Sequence, residues 1–284
     1  MFVPLHVGFA ENPGFGSWQF EPTVVIGVAL AGFLYFRWIR QYERRHPGEQ
    51  GASTAKQVSF GLGLATFVIA LLSPVDVLGS YLLTMHMTQH ILLTIVGPPL
   101  LLAGLSASMV QRWTELGRAW DVWRILTKPV VAFILFNALF SLMHLPVFYN
   151  VILRNEIVHI ATHLTLIGAA LLSWWSVLAP GRQFGELSQA MKGIYLLAHT
   201  VPGQIVGAII TFASASSILY VEYTHAPERV WGLSLTTDQE IGGLLMWIGV
   251  GTFYMLAAGV GFYRWADEAD SRERSRITKP KPVQ

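Results

Sequence analysis

Residues 81–105 read YLLTMHMTQHILLTIVGPPLLLAGL. The run is long and apolar enough to cross a bilayer as a helix, about twenty residues being what the hydrocarbon core requires. It nevertheless carries His86 and His90. The i, i+4 spacing puts both imidazoles on one helix face, one turn apart. A polar, metal-binding side chain within lipid is costly, so it is expected to face the protein interior and to mark a function.

The rest of the chain reads as more of the same environment. Of 284 residues, 53% are hydrophobic and only 13% charged, against roughly 25% charged in soluble domains. Six further apolar runs, near 21–40, 57–73, 129–146, 157–178, 190–213 and 240–263, join the run at 80–104 to predict an all-α, polytopic bundle of seven transmembrane helices. The chain has no cysteine, which excludes disulfides, thiolate metal sites and cysteine nucleophiles. The first twenty residues lack a basic start followed by a long apolar run, so no cleaved signal peptide is read.

Basic residues fix the expected orientation. Arg37, Arg40, Arg44, Arg45 and Lys56, then Arg112, Arg118, Arg124 and Lys128, then Arg182 and Lys192, and finally the residues from Arg264 onward fall on one side. Only Arg154 and Arg229 fall on the other, so 17 of the 19 lysines and arginines share a face. The N-terminus is therefore expected outside and the C-terminus in the cytoplasm. Residues 1–20 read as an outer segment, 21–264 as the membrane domain, and 265–284 as a charged, solvated, partly disordered tail.

With that topology the third and fifth helices both run inward, carrying His86 and His90 on one and His159 and His163 on the other, at similar depth. Their segments, HMTQHILL and HIATHLTL, are alike. The fourth helix brings His144 to the same level, whereas His199 lies deeper and reads as a neutral packing histidine. Five imidazoles in one layer need a metal, a cofactor or a proton path to offset their desolvation. Met85, Met87 and Met143 flank them, and thioether with imidazole suits Cu(I), although methionine is also ordinary apolar filler. Asp76 and Asp238 are candidates to orient imidazoles or to cap the third and seventh helices. Gly97-Pro98-Pro99 is expected to kink the third helix beneath its histidines. Trp113, Trp120, Trp123, Trp174 and Trp175 read as interface anchors.

Four strings carry a resemblance: SPVDVLGSYLLTMHMTQHILLTIVGPPLLLAG from Ser73, HLPVFYN from His144, the segment from His159 to Trp175, and DQEIGGLLMW from Asp238. Together they resemble the CtaG family of membrane cytochrome c oxidase assembly factors. The resemblance implies a bacterial inner-membrane protein that binds copper and delivers it to a haem–copper oxidase subunit, with a periplasmic copper donor as a further partner. It marks Asp76, His86, His90, His144, His159, His163 and Asp238. Asn150 departs from the acidic residue expected after HLPVFY, and Ser176 from a proline expected after the paired tryptophans.

Two other classes compete. A copper transporter would need a polar path to the inner face, and a haem-binding redox protein would take axial ligands from the two facing helices. No nucleophile motif, phosphate loop or catalytic acid pair points to an enzyme, and nothing indicates nucleic acid.

Overall fold

The computed structural model describes residues 13–227 and 229–278, so residues 1–12 of the expected outer segment lie outside them. Every element of regular structure among the described residues is helical. Among the described residues five helices are long and apolar enough to cross a membrane, and seven crossings result when each of two bent pairs counts as one.

In chain order these are α1 (Pro22–Arg45), α2 (Thr54–Leu72), the short α3 (Pro74–Gly79), and α4 (Leu83–Ile91), which passes through a π turn at Leu92–Val96 into α5 (Gly97–Ala103). Next come α6 (Ala107–Trp113), α7 (Arg118–Leu126), α8 (Pro129–Met143) and α9 (Pro146–Arg154). The chain ends with α10 (Glu156–Leu178), α11 (Gln189–Ala213), α12 (Leu235–Leu244), a second π turn at Leu245–Val250, and α13 (Gly251–Thr278). The third crossing is thus α4–α5, the fourth α8, and the seventh α12–α13.

The third crossing differs from its expectation in an instructive way. Pro98 and Pro99 do not produce the sharp bend, which is a 99° turn falling after Ala103. Upstream of the prolines the backbone widens into the π turn, where the Gly97 amide reaches back to the Leu92 carbonyl. A proline at 98 has no N–H for the Thr94 carbonyl, which would otherwise be left unpaired in an apolar core. The Trp174 indole N–H donates to that carbonyl at 3.0 Å. A side chain from α10 therefore replaces the missing backbone donor.

This also corrects the reading of the tryptophans. Trp174 and Trp175 are buried, Trp175 completely. Trp175 stacks on Trp113 at 5.9 Å and meets Trp123 edge to face at 5.1 Å. Trp120 packs against Phe184. Proximity to the basic end of the bundle made them look like lipid-facing anchors; they fill the core there.

Two glycines set how closely the crossings approach. A methyl group on Gly207 would lie 2.5 Å from the Trp247 backbone nitrogen, and one on Gly242 would lie 2.9 Å from the Leu83 side chain. α11 and α4 therefore pack directly on the seventh crossing, as small residues in membrane helices allow.

Two short stretches became helices that the hydropathy pattern did not resolve. α9 buries Tyr149, Ile152 and Leu153 and turns Val147, Phe148 and Val151 outward. At the other end, α13 continues past Arg264 to Thr278, with a Glu268–Arg272 pair one turn apart of the kind that supports exposed helices; residues 279–284 lie outside those described.

Replacing Trp174 by Phe orphans the Thr94 carbonyl and also removes one ring of the buried indole. The expected loss is about 1–3 kcal/mol, the penalty for a buried unpaired acceptor, read as an earlier thermal transition of the detergent-solubilised protein. An unchanged transition would mean the π turn satisfies that carbonyl by another route.

Candidate metal centre

The placement of the histidines begins with the start of α4. Leu83 and Thr84 are first-turn residues whose backbone N–H groups have no partner within the helix. The Asp238 carboxylate, on α12, accepts both, at 2.9 and 3.0 Å, and the Thr84 hydroxyl donates to the Asp238 carbonyl. Arg229 pairs with the same carboxylate at 3.3 Å. The cap that Asp238 supplies thus belongs to the third crossing rather than to its own helix, which is capped by Ser234. This fixes where His86 sits, one turn further along.

Asp76 acts on the same helix from another side. Its carboxylate accepts from the Gln89 amide at 2.5 Å and from Gln19 at 3.0 Å, while Gln89 also donates to the Ala70 carbonyl. Gln89 lies between the two histidines in sequence and is almost fully buried. It ties their helix to α2 and α3. In the turn between crossings, Asp76 is pushed up to about 6, mainly by burial, with the Gln89 hydrogen bond opposing.

Five histidines converge above the π turn. His86, His90, His144, His159 and His163 are all buried, between 2% and 7% exposed. The Nε2 atoms of His86 and His90 are 3.0 Å apart. Ring centres of His86 and His159 are 5.2 Å apart, those of His159 and His163 4.1 Å, and those of His90 and His163 5.3 Å. One nitrogen from each of His86, His159 and His163 falls within 4.8 Å of the others, close enough for one ion. Asn155 caps α10 through Val158 and so sets the first turn from which His159 projects.

His144 stands beside this triad, 5.4 Å from His90 ring to ring. Its Nδ1 faces the Phe140 carbonyl at 2.6 Å and must carry the proton. In the neutral ring that leaves Nε2 as a lone pair, and this atom is buried without a hydrogen-bond partner, as is Nδ1 of His90. Fixing one nitrogen on a carbonyl to present the other is the usual arrangement of a metal-binding imidazole. A cavity of about 20 Å³, room for one water or ion, lies between His90, His144, Met87, Asn137 and His199.

His199 is different. Its Nδ1 faces the Tyr195 carbonyl and its Nε2 the Ser173 hydroxyl, at 2.9 and 2.8 Å. Both nitrogens are used, as befits a packing residue. Of the flanking methionines, Met87 reaches the cavity; Met85 packs with Val77, Leu78 and Val230, and Met143 is half-buried outside the cavity lining. Asn150 joins α9 to the segment between α11 and α12, donating to the Leu219 carbonyl as well as to that of Pro146 in its own helix and accepting from the Glu222 amide.

A layer of tyrosines covers the histidines, and the sequence did not announce it. The Tyr149 and Tyr223 hydroxyls are 3.1 Å apart, and Tyr223 donates to the Gly79 carbonyl. Tyr220 donates to the His144 carbonyl and its ring lies 4.1 Å from that of Tyr149. Tyr149 in turn is 5.4 Å from His86. These side chains close one side of the histidine layer.

Fold and site together define a multi-pass helical membrane protein with a buried imidazole cluster between its third, fourth and fifth crossings. The profile of the cytochrome c oxidase caa3 assembly factors (Caa3_CtaG) matches residues 33–268, and the chain belongs to that family. It is 25% identical over 261 residues to an uncharacterized protein of Mycobacterium leprae, covering 82% of this chain and 37% of that one. Uncharacterized proteins of Mycobacterium bovis and Mycobacterium tuberculosis are each 24% identical over 253 residues, covering 81% of this chain and 36% of theirs. The chain thus spans little more than a third of the length of these relatives. No solved structure matches it significantly.

Two predictions follow from the supports of α4. Asp238→Ala removes a two-donor cap and should destabilise the fold by about 1–2 kcal/mol, seen in the thermal transition. For Asp76, the folded carboxyl keeps its proton to higher pH than the ordinary value of 3.8. The folded state therefore binds the extra proton between those values, and stability declines as pH rises through about 6. Thermal scans of Asp76→Asn should show a flatter decline; an identical slope would assign the pH dependence elsewhere.

Proposed function

We propose that this chain is a cytochrome c oxidase assembly factor that holds one Cu(I) ion on His86, His159 and His163 and passes it to a subunit of a haem–copper oxidase in the bacterial inner membrane. The observation that carries this is the convergence of three buried imidazole nitrogens within 4.8 Å of one another, with the spare nitrogens of His90 and His144 beside them. The donor set is all imidazole, with no carboxylate, which suits copper or zinc and not magnesium or calcium. Because the cost of burying a charge rises with its square, a set of neutral ligands favours the singly charged ion.

His90 and His144 give the ion a second place to rest, a step towards or away from the triad. Transfer by ligand exchange requires such incompletely saturated positions. The tyrosine roof must open for loading or delivery, and Tyr223 sits in a short 3₁₀ segment, Val221–His225. An outer-facing N-terminus and a periplasmic copper donor belong to the same reading.

A transporter is less well supported. Beyond the small cavity the polar groups are paired among themselves, His199 with Ser173 and Tyr195, and Trp174 and Tyr254 stack at 5.7 Å. A haem-binding reading is also less well supported, because ring centres of His86 and His159, on the two facing helices, are only 5.2 Å apart, too close for a macrocycle held between them.

Competition against a Cu(I) chelator tests the proposal. His86→Ala and His159→Ala should weaken copper binding by more than the roughly 10–100-fold that loss of a supporting hydrogen bond costs a metal site. His199→Ala should leave it near wild type. Equal affinity in all four proteins would overturn the proposal.

A further inference from the structure

At the basic end of the bundle, far along the crossings from the histidines, a second cavity of about 550 Å³ lies between α1, α5, α6, α7 and α10. That is a size typical of sites for small organic ligands, and nothing in the metal chemistry uses it. Its walls are mainly Leu34, Leu102, Leu105, Met109, Trp113 and Leu171, with Arg37 and Gln41 as polar members and no carboxylate.

α1 makes it accessible from the side. Only 11% of the apolar window of α1 is buried, and the helix is held to the bundle by local anchors, the Tyr35 hydroxyl on the Gly104 carbonyl at 2.9 Å and the Tyr35–Phe60 stack at 3.9 Å. Leu34 lines the cavity and is more than half exposed, so the opening faces what surrounds the helices, the acyl chains of the bilayer.

Two polar groups in the wall are uncommitted. The Trp123 indole N–H is shielded from solvent and donates to nothing. Arg37 forms no ion pair among the described residues. A buried donor without a partner is expensive, and an arginine at a membrane surface attracts anionic headgroups. Free phosphate would have no use for the apolar walls, and an uncharged isoprenoid would have no use for Arg37.

We propose that this cavity is a binding site for an anionic phospholipid, one acyl chain lying between α1 and the bundle, its phosphate on Arg37 and Gln41 and an ester carbonyl on the Trp123 N–H. The site is independent of copper binding. It gives a peripheral first helix a wedge of lipid in place of protein packing.

The test uses the full chain reconstituted in phosphatidylcholine vesicles doped with either phosphatidylglycerol or phosphatidylcholine whose acyl chains are brominated, with tryptophan emission as the readout. Trp38, Trp113 and Trp123 line the cavity, so an occupying brominated chain quenches them. Brominated phosphatidylglycerol should quench in a saturable manner at a low mole fraction, with brominated phosphatidylcholine giving only the gradual quenching of bulk lipid. Arg37→Gln, at an exposed position, should lower the preference for phosphatidylglycerol about fivefold, the size of one cationic contact to an anionic lipid. Ala31→Phe, which narrows the cavity, should weaken the saturable part while chelator competition shows the copper site intact. Equal quenching by both lipids, or an unchanged preference in Arg37→Gln, would overturn the proposal.

Discussion

The carboxylate of Asp238 holds the beginning of the third crossing, and the histidine cluster depends on it. A helix that begins within a membrane protein must have its first N–H groups satisfied by other parts of the chain. Here a side chain more than 150 residues away accepts two of them, and Arg229 offsets its charge. The seventh crossing therefore positions the third. Gly242, whose lack of a side chain admits Leu83, brings the two helices close enough for that contact.

The same requirement recurs along the third crossing. The Asp76–Gln89 pair anchors its histidine-bearing face to α2 and α3, and Trp174 supplies the donor that Pro98 lacks. Between these fixed points His86 and His90 have little freedom, and α10 meets them with its own pair. A site assembled from helices 70 residues apart in sequence is thereby held by hydrogen bonds at both ends. Over it Tyr149 of α9 and Tyr220 and Tyr223 from the segment between α11 and α12 form a roof of hydroxyl contacts, packed in one apolar cluster with Leu83, Met87, Ile210 and Met246.

Much of this was legible in the residues themselves. Apolar runs of membrane-spanning length gave the seven crossings to within a few residues, because hydropathy is a local property. The i, i+4 spacing put each histidine pair on one helix face for the same reason, and the two pairs do meet in one buried layer. What escaped was tertiary. Asp238 looks like the cap of its own helix until α4 is seen beside it. The Pro98-Pro99 pair looks like a kink because the π turn and the Trp174 donor are not local. Tyr220 and Tyr223 carry no spacing signal at all. The tryptophans were misread because nearness to a basic boundary is visible in sequence, whereas stacking between α6, α7 and α10 is not.

The proposed copper site consists of three imidazoles in this layer. X-ray absorption at the copper edge of the purified, Cu(I)-loaded protein tests it most directly. The account predicts a first shell made of imidazole nitrogens without sulfur, with the long-range scattering of histidine rings, and a shell that changes in His159→Ala. A shell dominated by thioether sulfur, or one identical in wild type and His159→Ala, would contradict it.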